Sequence, residues 1–142
     1  STLPAKTNTN FVDVGDDVPK IGATFGLNDY GFWNLSIPGD YKGSISKATI
    51  IYSGPPDPMQ WSIDARVLQD EDNLTSGGAW STIYNIQDTP FSSSSLEIAT
   101  LETPMDLFGS IANVNNFVTV RLKLSFVTNA ASYRVYQVKL EY

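Results

Sequence analysis

The stretch that decides the fold is Phe117-Val-Thr-Val-Arg-Leu-Lys-Leu-Ser-Phe126. Apolar residues occupy every second position, and charged or hydroxyl residues occupy the positions between them. Side chains of a β-strand alternate between the two faces of a sheet, so this period of two predicts a half-buried strand and excludes a helix. The apolar face is predicted to consist of Val118, Val120, Leu122, Leu124 and Phe126.

The same pattern recurs in three other stretches, residues 31–37, 59–69 and 133–142. The predicted inward residues are Trp33, Leu35, Ile37, Trp61, Ile63, Ala65, Val67, Tyr136, Val138, Leu140 and Tyr142. The alternation leaves one point open. The last two strands could form a hairpin, or they could lie in opposite sheets, as consecutive strands of a jelly roll often do.

Turns rich in glycine and proline separate these strands, and no helix of normal length is indicated. The one helical signal is at residues 103–109, where Thr103 can cap and Pro104 suits a first helical position, for at most a turn or two. We therefore predict an all-β fold, an antiparallel β-sandwich of jelly-roll type with about eight strands. Polar residues 1–10 are predicted to be a flexible N-terminal arm and residues 11–142 a single domain.

The charge of the chain argues against two classes of partner. Its 142 residues carry a formal net charge of −6. The lysines and arginines are scattered singly, whereas binding to nucleic acid or to an anionic membrane surface needs clustered basic residues. The chain also lacks an apolar run of the length that crosses a bilayer. We predict neither a nucleic-acid nor a membrane partner.

The chain contains no histidine and no cysteine, which removes most catalytic and metal chemistry. A Ser-His-Asp or Cys-His arrangement is impossible, and so is a structural zinc site. What remains is carboxylate chemistry, and Asp64 is the only carboxylate well inside a strong strand. Beside Arg66 on the polar face, it is interpreted as a solvated residue of a cross-strand ion pair. We predict that the protein is not an enzyme and uses no cofactor.

Two acidic clusters raise the question of calcium, which binds carboxylate oxygens in loops. They consist of Asp13, Asp16 and Asp17, and of Asp70, Glu71 and Asp72. Neither cluster has the spacing of an EF-hand loop, and consecutive residues of an extended chain point in different directions. Both are interpreted as solvated loops, and no metal site is predicted.

Aromatic side chains can stack on the apolar faces of sugar rings, so their placement bears on glycan binding. Trp33 and Trp61 share a face with aliphatic residues and are predicted to lie in the core. Trp80 and Tyr84 are the candidates for glycan stacking, since Gly77-Gly78 can present Trp80 at the edge of a loop.

Four segments together suggest a family: residues 33–41, ending in Ile-Pro-Gly-Asp-Tyr, an apolar strand at 48–52, Trp61-Ser-Ile-Asp-Ala-Arg66, and the closing Val138-Lys-Leu-Glu-Tyr142. The combination resembles jelly-roll domains of tailed-phage and other viral virion proteins, which serve as capsid decoration proteins or as tail and fibre modules. The resemblance spans roughly residues 30–142, and the residues that carry it are structural.

This resemblance implies a non-enzymatic viral structural protein, a capsid decoration or cement protein that binds the outside of the shell. The implied partner is the major capsid protein or another virion protein, the implied oligomer is a homotrimer, and the implied location is the virion. Leu3, Phe11 and Val12 are then expected to be apolar anchors of the assembly interface. The alternative is a carbohydrate-binding module or receptor-binding tip that uses Trp80 and Tyr84.

Overall fold

The structure, a computed structural model, describes residues 6–7, 11–13, 21–36, 45–68, 80–103 and 117–141. These ranges contain ten strands and no helix. The strands are β1 Lys6–Thr7, β2 Phe11–Asp13, β3 Ile21–Phe25, β4 Tyr30–Ser36, β5 Lys47–Ser53, β6 Met59–Leu68, β7 Ser81–Asp88, β8 Glu97–Leu101, β9 Phe117–Val127 and β10 Tyr133–Glu141. Eight of the ten have five residues or more, which confirms the all-β prediction with about eight strands.

The strands form two five-stranded sheets in which every pair of neighbours is antiparallel. The front sheet has the order β1-β4-β9-β6-β7, and the back sheet has the order β2-β3-β10-β5-β8. The last two strands, β9 and β10, therefore lie in opposite sheets and do not form a hairpin. The structure thereby decides between the two arrangements that the alternation left open, in favour of the one that is common in jelly rolls.

The two sheets are joined by a layer of aromatic rings centred on Trp61 of β6. Its ring makes edge-to-face contacts with Phe25 at 5.5 Å, Tyr52 at 5.6 Å and Tyr133 at 6.3 Å, and these three residues belong to the back sheet. Such contacts add stability beyond the burial of apolar area. Trp61 and Trp33 are both buried, as predicted.

A β-bulge in β9 changes which side chains reach the core. Trp61 pairs with Leu124 but Gln60 pairs with Phe126, so Ser125 is an extra residue on β9. An extra residue reverses the faces of the side chains that follow it. Leu124 is buried, whereas Phe126 is 51% exposed. The prediction that Phe126 belongs to the buried face is wrong for this reason.

β10 contains a second bulge, at Tyr136. Val135 pairs with Tyr52 and Gln137 pairs with Ile51, which leaves Tyr136 as the extra residue. Val135 is buried before the bulge and Val138 after it. Tyr136, predicted to face inward, is only half-buried and its hydroxyl lies 2.8 Å from the Ser53 hydroxyl.

Two predictions concern parts of the chain that the structure describes only in part. Within the predicted arm at 1–10, Lys6–Thr7 form β1 and pair with β4. The division into an arm and a domain at 11–142 stays a prediction. The structure describes Thr103 but not residues 104–109, so the predicted helical turn at 103–109 lies outside the described residues.

Candidate functional site

The outer face of the front sheet carries an ion pair at its centre. Arg121 of β9 pairs with Phe32 of β4 on one side and with Asp64 of β6 on the other. Its Nε and Nη2 atoms donate hydrogen bonds of 3.0 and 2.7 Å to Asp64 Oδ2. The predicted cross-strand ion pair therefore exists, with Arg121 as a partner. The prediction of a solvated carboxylate is wrong, because Asp64 is only 4% exposed.

Three aromatic side chains that contact one another lie beside this ion pair, and we call Tyr30, Phe32 and Trp80 the aromatic cluster. Phe32 and Trp80 are stacked, with centroids 5.6 Å apart and planes at 30°. Tyr30 meets Phe32 edge-on at 5.0 Å. The guanidinium carbon of Arg121 lies 4.5 Å from the centroid of Trp80, within the range of a cation–π contact. All three aromatic side chains are half-buried, so each keeps some surface for a ligand.

A network of uncharged polar groups lies beside the cluster, and we call Gln60, Ser62, Asn85, Gln87 and Ser125 the polar strip. The Ser62 hydroxyl lies 2.8 Å from both Asn85 Oδ1 and the Ser125 hydroxyl. Gln60 Nε2 lies 3.1 Å from Ser125 Oγ, and Gln87 Nε2 donates to Gln60 Oε1 at 3.2 Å. These bonds fix side chains from three strands in one orientation while Asn85 and Gln87 remain exposed.

A cleft of about 310 Å³ adjoins the polar strip at Gln87, and its other lining residues are Pro58, Met59, Asp88, Thr89 and Phe126. Phe126, which the bulge turns outward, supplies an exposed aromatic ring there. Along β9, Arg121 and Phe126 are five residue steps apart, which corresponds to about 16 Å at the usual rise of a strand. The outer face thus has aromatic groups at both ends and amide and hydroxyl groups between them.

Asp88 lies at the edge of this cleft, and each of its carboxylate oxygens accepts a hydrogen bond from within the protein. It accepts a 2.6 Å hydrogen bond from the Tyr52 hydroxyl and a 2.9 Å hydrogen bond from the Thr89 amide. Burial, and then the hydrogen bond and charge of Asp88, raise the pKa of Tyr52 far above its ordinary value.

The two residues predicted to stack on a glycan lie on different faces of the front sheet. Trp80 lies on the outer face, as described above, and its role in stacking stays a prediction. Tyr84 lies on the inner face of the front sheet and is only 1% exposed. Its hydroxyl donates to the carbonyl of Thr103 at 2.9 Å, and burial raises its pKa. The prediction for Tyr84 must be corrected, because a ring enclosed between two sheets cannot meet a sugar.

The predicted assembly residues lie at the margin of the described chain. Leu3 is outside the described residues. Phe11 and Val12 belong to β2, where they pair with Ala23 and Gly22 at the edge of the back sheet. Their role in an interface stays a prediction.

The acidic clusters also fall outside the described side chains, and only the backbone of Asp13, in β2, is placed. In the parts of the chain that are placed, no three acidic side chains come close enough to hold a metal ion. Those same parts hold no helix with the length and apolar character needed to cross a membrane.

The alternation of residues along the strands indicates two members of the outer face that the composition of the chain does not reveal. Phe32 alternates with Trp33 and so must point away from the core, and an aromatic residue on a solvent face is such a signal. Ser62 lies on the polar face of β6 by the same alternation. That these residues, Arg121 and Asn85 form one surface depends on strand order and register, which the sequence did not supply.

Comparison with solved structures shows that this jelly-roll fold is similar to that of a carbohydrate-binding module. The carbohydrate-binding module CBM36 in complex with calcium and xylotriose is similar with a TM-score of 0.56 and 12% identity, over 96% of this chain and 92% of that one. A CBM4 structure has a TM-score of 0.44 and 15% identity, over 96% of this chain and 79% of that one. TmCBM61 in complex with beta-1,4-galactotriose has a TM-score of 0.46 and 8% identity, over 98% of this chain and 90% of that one.

Only the first of these scores exceeds 0.5, and at these identities the likeness establishes the fold alone. No protein-family model and no curated protein matches the chain. The jelly roll of the predicted resemblance is confirmed, and a viral origin gains no support from these neighbours.

Proposed function

We propose that this chain is a non-catalytic carbohydrate-binding module and that the outer face of the front sheet binds the glycan. The observation that carries the proposal is the adjacency of the aromatic cluster and the polar strip on one sheet face. A sugar ring has an apolar C–H face and a rim of hydroxyl groups. Aromatic side chains contact the apolar face, and amide and hydroxyl side chains form hydrogen bonds with the hydroxyl groups, as is usual in ligand sites.

The rigidity of the polar strip supports this function. Ser62, Asn85 and Ser125 are held by hydrogen bonds of 2.8 Å before any ligand arrives. Binding then costs little side-chain entropy, which is the benefit of preorganisation. The span of about 16 Å between Arg121 and Phe126 suits an oligosaccharide better than a single sugar. The neighbouring fold that holds xylotriose agrees with this choice of ligand class.

The state of the carboxylates supports binding rather than cleavage. Glycoside hydrolysis uses two carboxyl groups that flank the scissile bond in an accessible site. Asp64 is buried in its ion pair with Arg121, and Asp88 is occupied by the Tyr52 hydroxyl and the Thr89 amide. Neither is free to act as an acid or a nucleophile toward a glycan on the outer face.

The test is calorimetric titration with a panel of soluble polysaccharides. Trp80→Ala should weaken binding of a recognised glycan at least about thirtyfold, as loss of a central aromatic anchor does. Asn85→Ala, at an exposed position, should weaken it about fivefold through loss of a hydrogen bond. Thr100→Ala on the outer face of the back sheet is the control and should bind as the unmodified chain does. Full affinity in both front-sheet variants, or no binding to any polysaccharide, would contradict the proposal.

A second candidate function is assembly in a virion, and exposed apolar residues favour it. Phe91 is 87% exposed, and Leu96 and Ile98 are also exposed, beside and on the edge strand β8. An uncovered edge strand with apolar side chains promotes association between chains. Under this proposal the chain decorates a viral shell as a homotrimer and contacts the major capsid protein.

Light scattering of the purified protein tests this second function. A trimer that Ile98→Lys converts to a monomer would support it. A monomer at every concentration, with no affinity for viral particles, would exclude it.

A further inference from the structure

Among the described side chains of the proposed binding face, basic groups outnumber acidic ones, whereas the whole protein is acidic. The chain has a net charge of −6. The outer face of the front sheet nevertheless carries Arg66, Arg121 and Lys123, and Asp64 is the one carboxylate that pairs across the described rows of this face. A local excess of positive charge attracts ligands of opposite sign.

The cations of this face are not equivalent. Asp64 neutralises Arg121 at 2.7 Å. Lys123 pairs across the sheet with Tyr30 on one side and Ser62 on the other, between the aromatic cluster and the polar strip. It is half-buried, yet it makes no salt bridge with any residue that the structure describes.

The two other lysines whose side chains are described each have an acidic partner. Lys47 and Lys139 lie on the back sheet, and each has a glutamate carboxylate within 3.4 Å. The acidic side chain beside β4, Asp29, accepts a 2.7 Å hydrogen bond from the Gly26 amide. Lys123 is thus the exception among the three lysines whose side chains are described.

An ammonium group that has no counter-charge within the protein can pair with the carboxylate of a ligand. We propose that the binding face recognises an acidic glycan, with Lys123 pairing with the carboxylate of a uronic acid residue. The aromatic cluster then contacts a sugar face on one side of Lys123, and the polar strip bonds to hydroxyls on the other. One uncompensated cation matches the isolated carboxylates of a uronate chain better than the dense charges of a sulfated glycan.

This inference rests on the proposed function, and its test uses polysaccharide pairs that share a backbone but differ in charge. Suitable pairs are carboxymethylcellulose with hydroxyethylcellulose, polygalacturonate with methyl-esterified pectin, and glucuronoxylan with unsubstituted xylan. Titration at about 10 mM ionic strength, where charges act over about 30 Å, should show at least about fivefold tighter binding of the acidic member in one pair. Near 1 M salt, where the screening length is about 3 Å, the preference should fall below about twofold.

Lys123→Gln should abolish the preference by weakening the binding of the acidic member, because the glutamine amide carries no positive charge. Lys139→Gln removes a lysine from the back sheet, changes the net charge equally and should keep the preference. Retention of the preference in Lys123→Gln, or tighter binding of dextran sulfate than of every carboxylated polymer, would overturn the inference.

The outcomes separate the two proposals. Equal binding of acidic and neutral members, unchanged in Lys123→Gln, would overturn the acidic-glycan inference and leave the carbohydrate-binding function in place. Absence of binding to any member of any pair would overturn both.

Discussion

Removal of either partner of the Asp64–Arg121 ion pair should destabilise the fold strongly. The carboxylate of Asp64 is 6% exposed and the side chain of Arg121 is 25% exposed, and they are joined by hydrogen bonds of 2.7 and 3.0 Å. Breaking a fully buried pair typically costs about 3–5 kcal/mol, whereas an exposed pair contributes under about 1 kcal/mol. Because one partner is a quarter exposed, we expect Asp64→Asn to cost about 2–3 kcal/mol.

A double-mutant cycle separates the pair from its surroundings. Asp64→Asn and Arg121→Gln each leave one charge without its partner, and the double variant removes both charges. The double variant should therefore lose less stability than the two single losses added together, by at least about 1.5 kcal/mol. Arg121→Gln should also alter the fluorescence of Trp80, since the guanidinium lies 4.5 Å from the indole centroid.

Urea denaturation followed by tryptophan fluorescence measures all four free energies of unfolding. A loss of about 2–3 kcal/mol should lower the midpoint of thermal unfolding by roughly 6–12 °C in a domain of this size. The prediction is refuted if each single variant loses under about 1 kcal/mol of unfolding free energy and the double variant loses their sum. Water would then screen this ion pair as it screens a pair on the surface.

Three other perturbations test the packing. Gly54→Ala should cost about 1–3 kcal/mol in urea unfolding, because the new Cβ would overlap a ring carbon of the buried Tyr133; an unchanged midpoint would contradict that contact. Leu124→Ala should cost about 2–5 kcal/mol and Phe126→Ala under about 0.5, and similar losses would argue against the bulge between them. Burial raises the pKa values of Tyr52 and Tyr133 above 10.0, so their stabilising effect is complete below pH 10 and is lost as pH rises above it. Unfolding free energy should then fall by up to about 1.4 kcal/mol per pH unit per tyrosine, and Tyr52→Phe should reduce that slope; a flat profile to pH 11.5 would contradict it.

The sequence by itself determined the fold class and most of the core. The alternation of apolar and polar residues is a local property of each strand, since a residue's face depends only on its position along the strand. It correctly placed Trp33 and Trp61 between the sheets and assigned Asp64 to the opposite face. The absence of histidine and cysteine also excluded the catalytic and zinc sites that need those residues, whatever fold the chain adopts.

Tertiary structure alone decided which residues meet. The bulge at Ser125, which exposes Phe126, exists only where β9 pairs with β6, so alternation along β9 could not reveal it. Packing of the two sheets enclosed Tyr84, whose hydroxyl reaches the carbonyl of Ile45, whereas Trp80 stacks on Phe32 at the outer face. The candidate site draws on β4, β6, β7 and β9, which are far apart in the chain. Their side chains form one surface because hydrogen-bond register between strands is a non-local property, set by the packing of the two sheets.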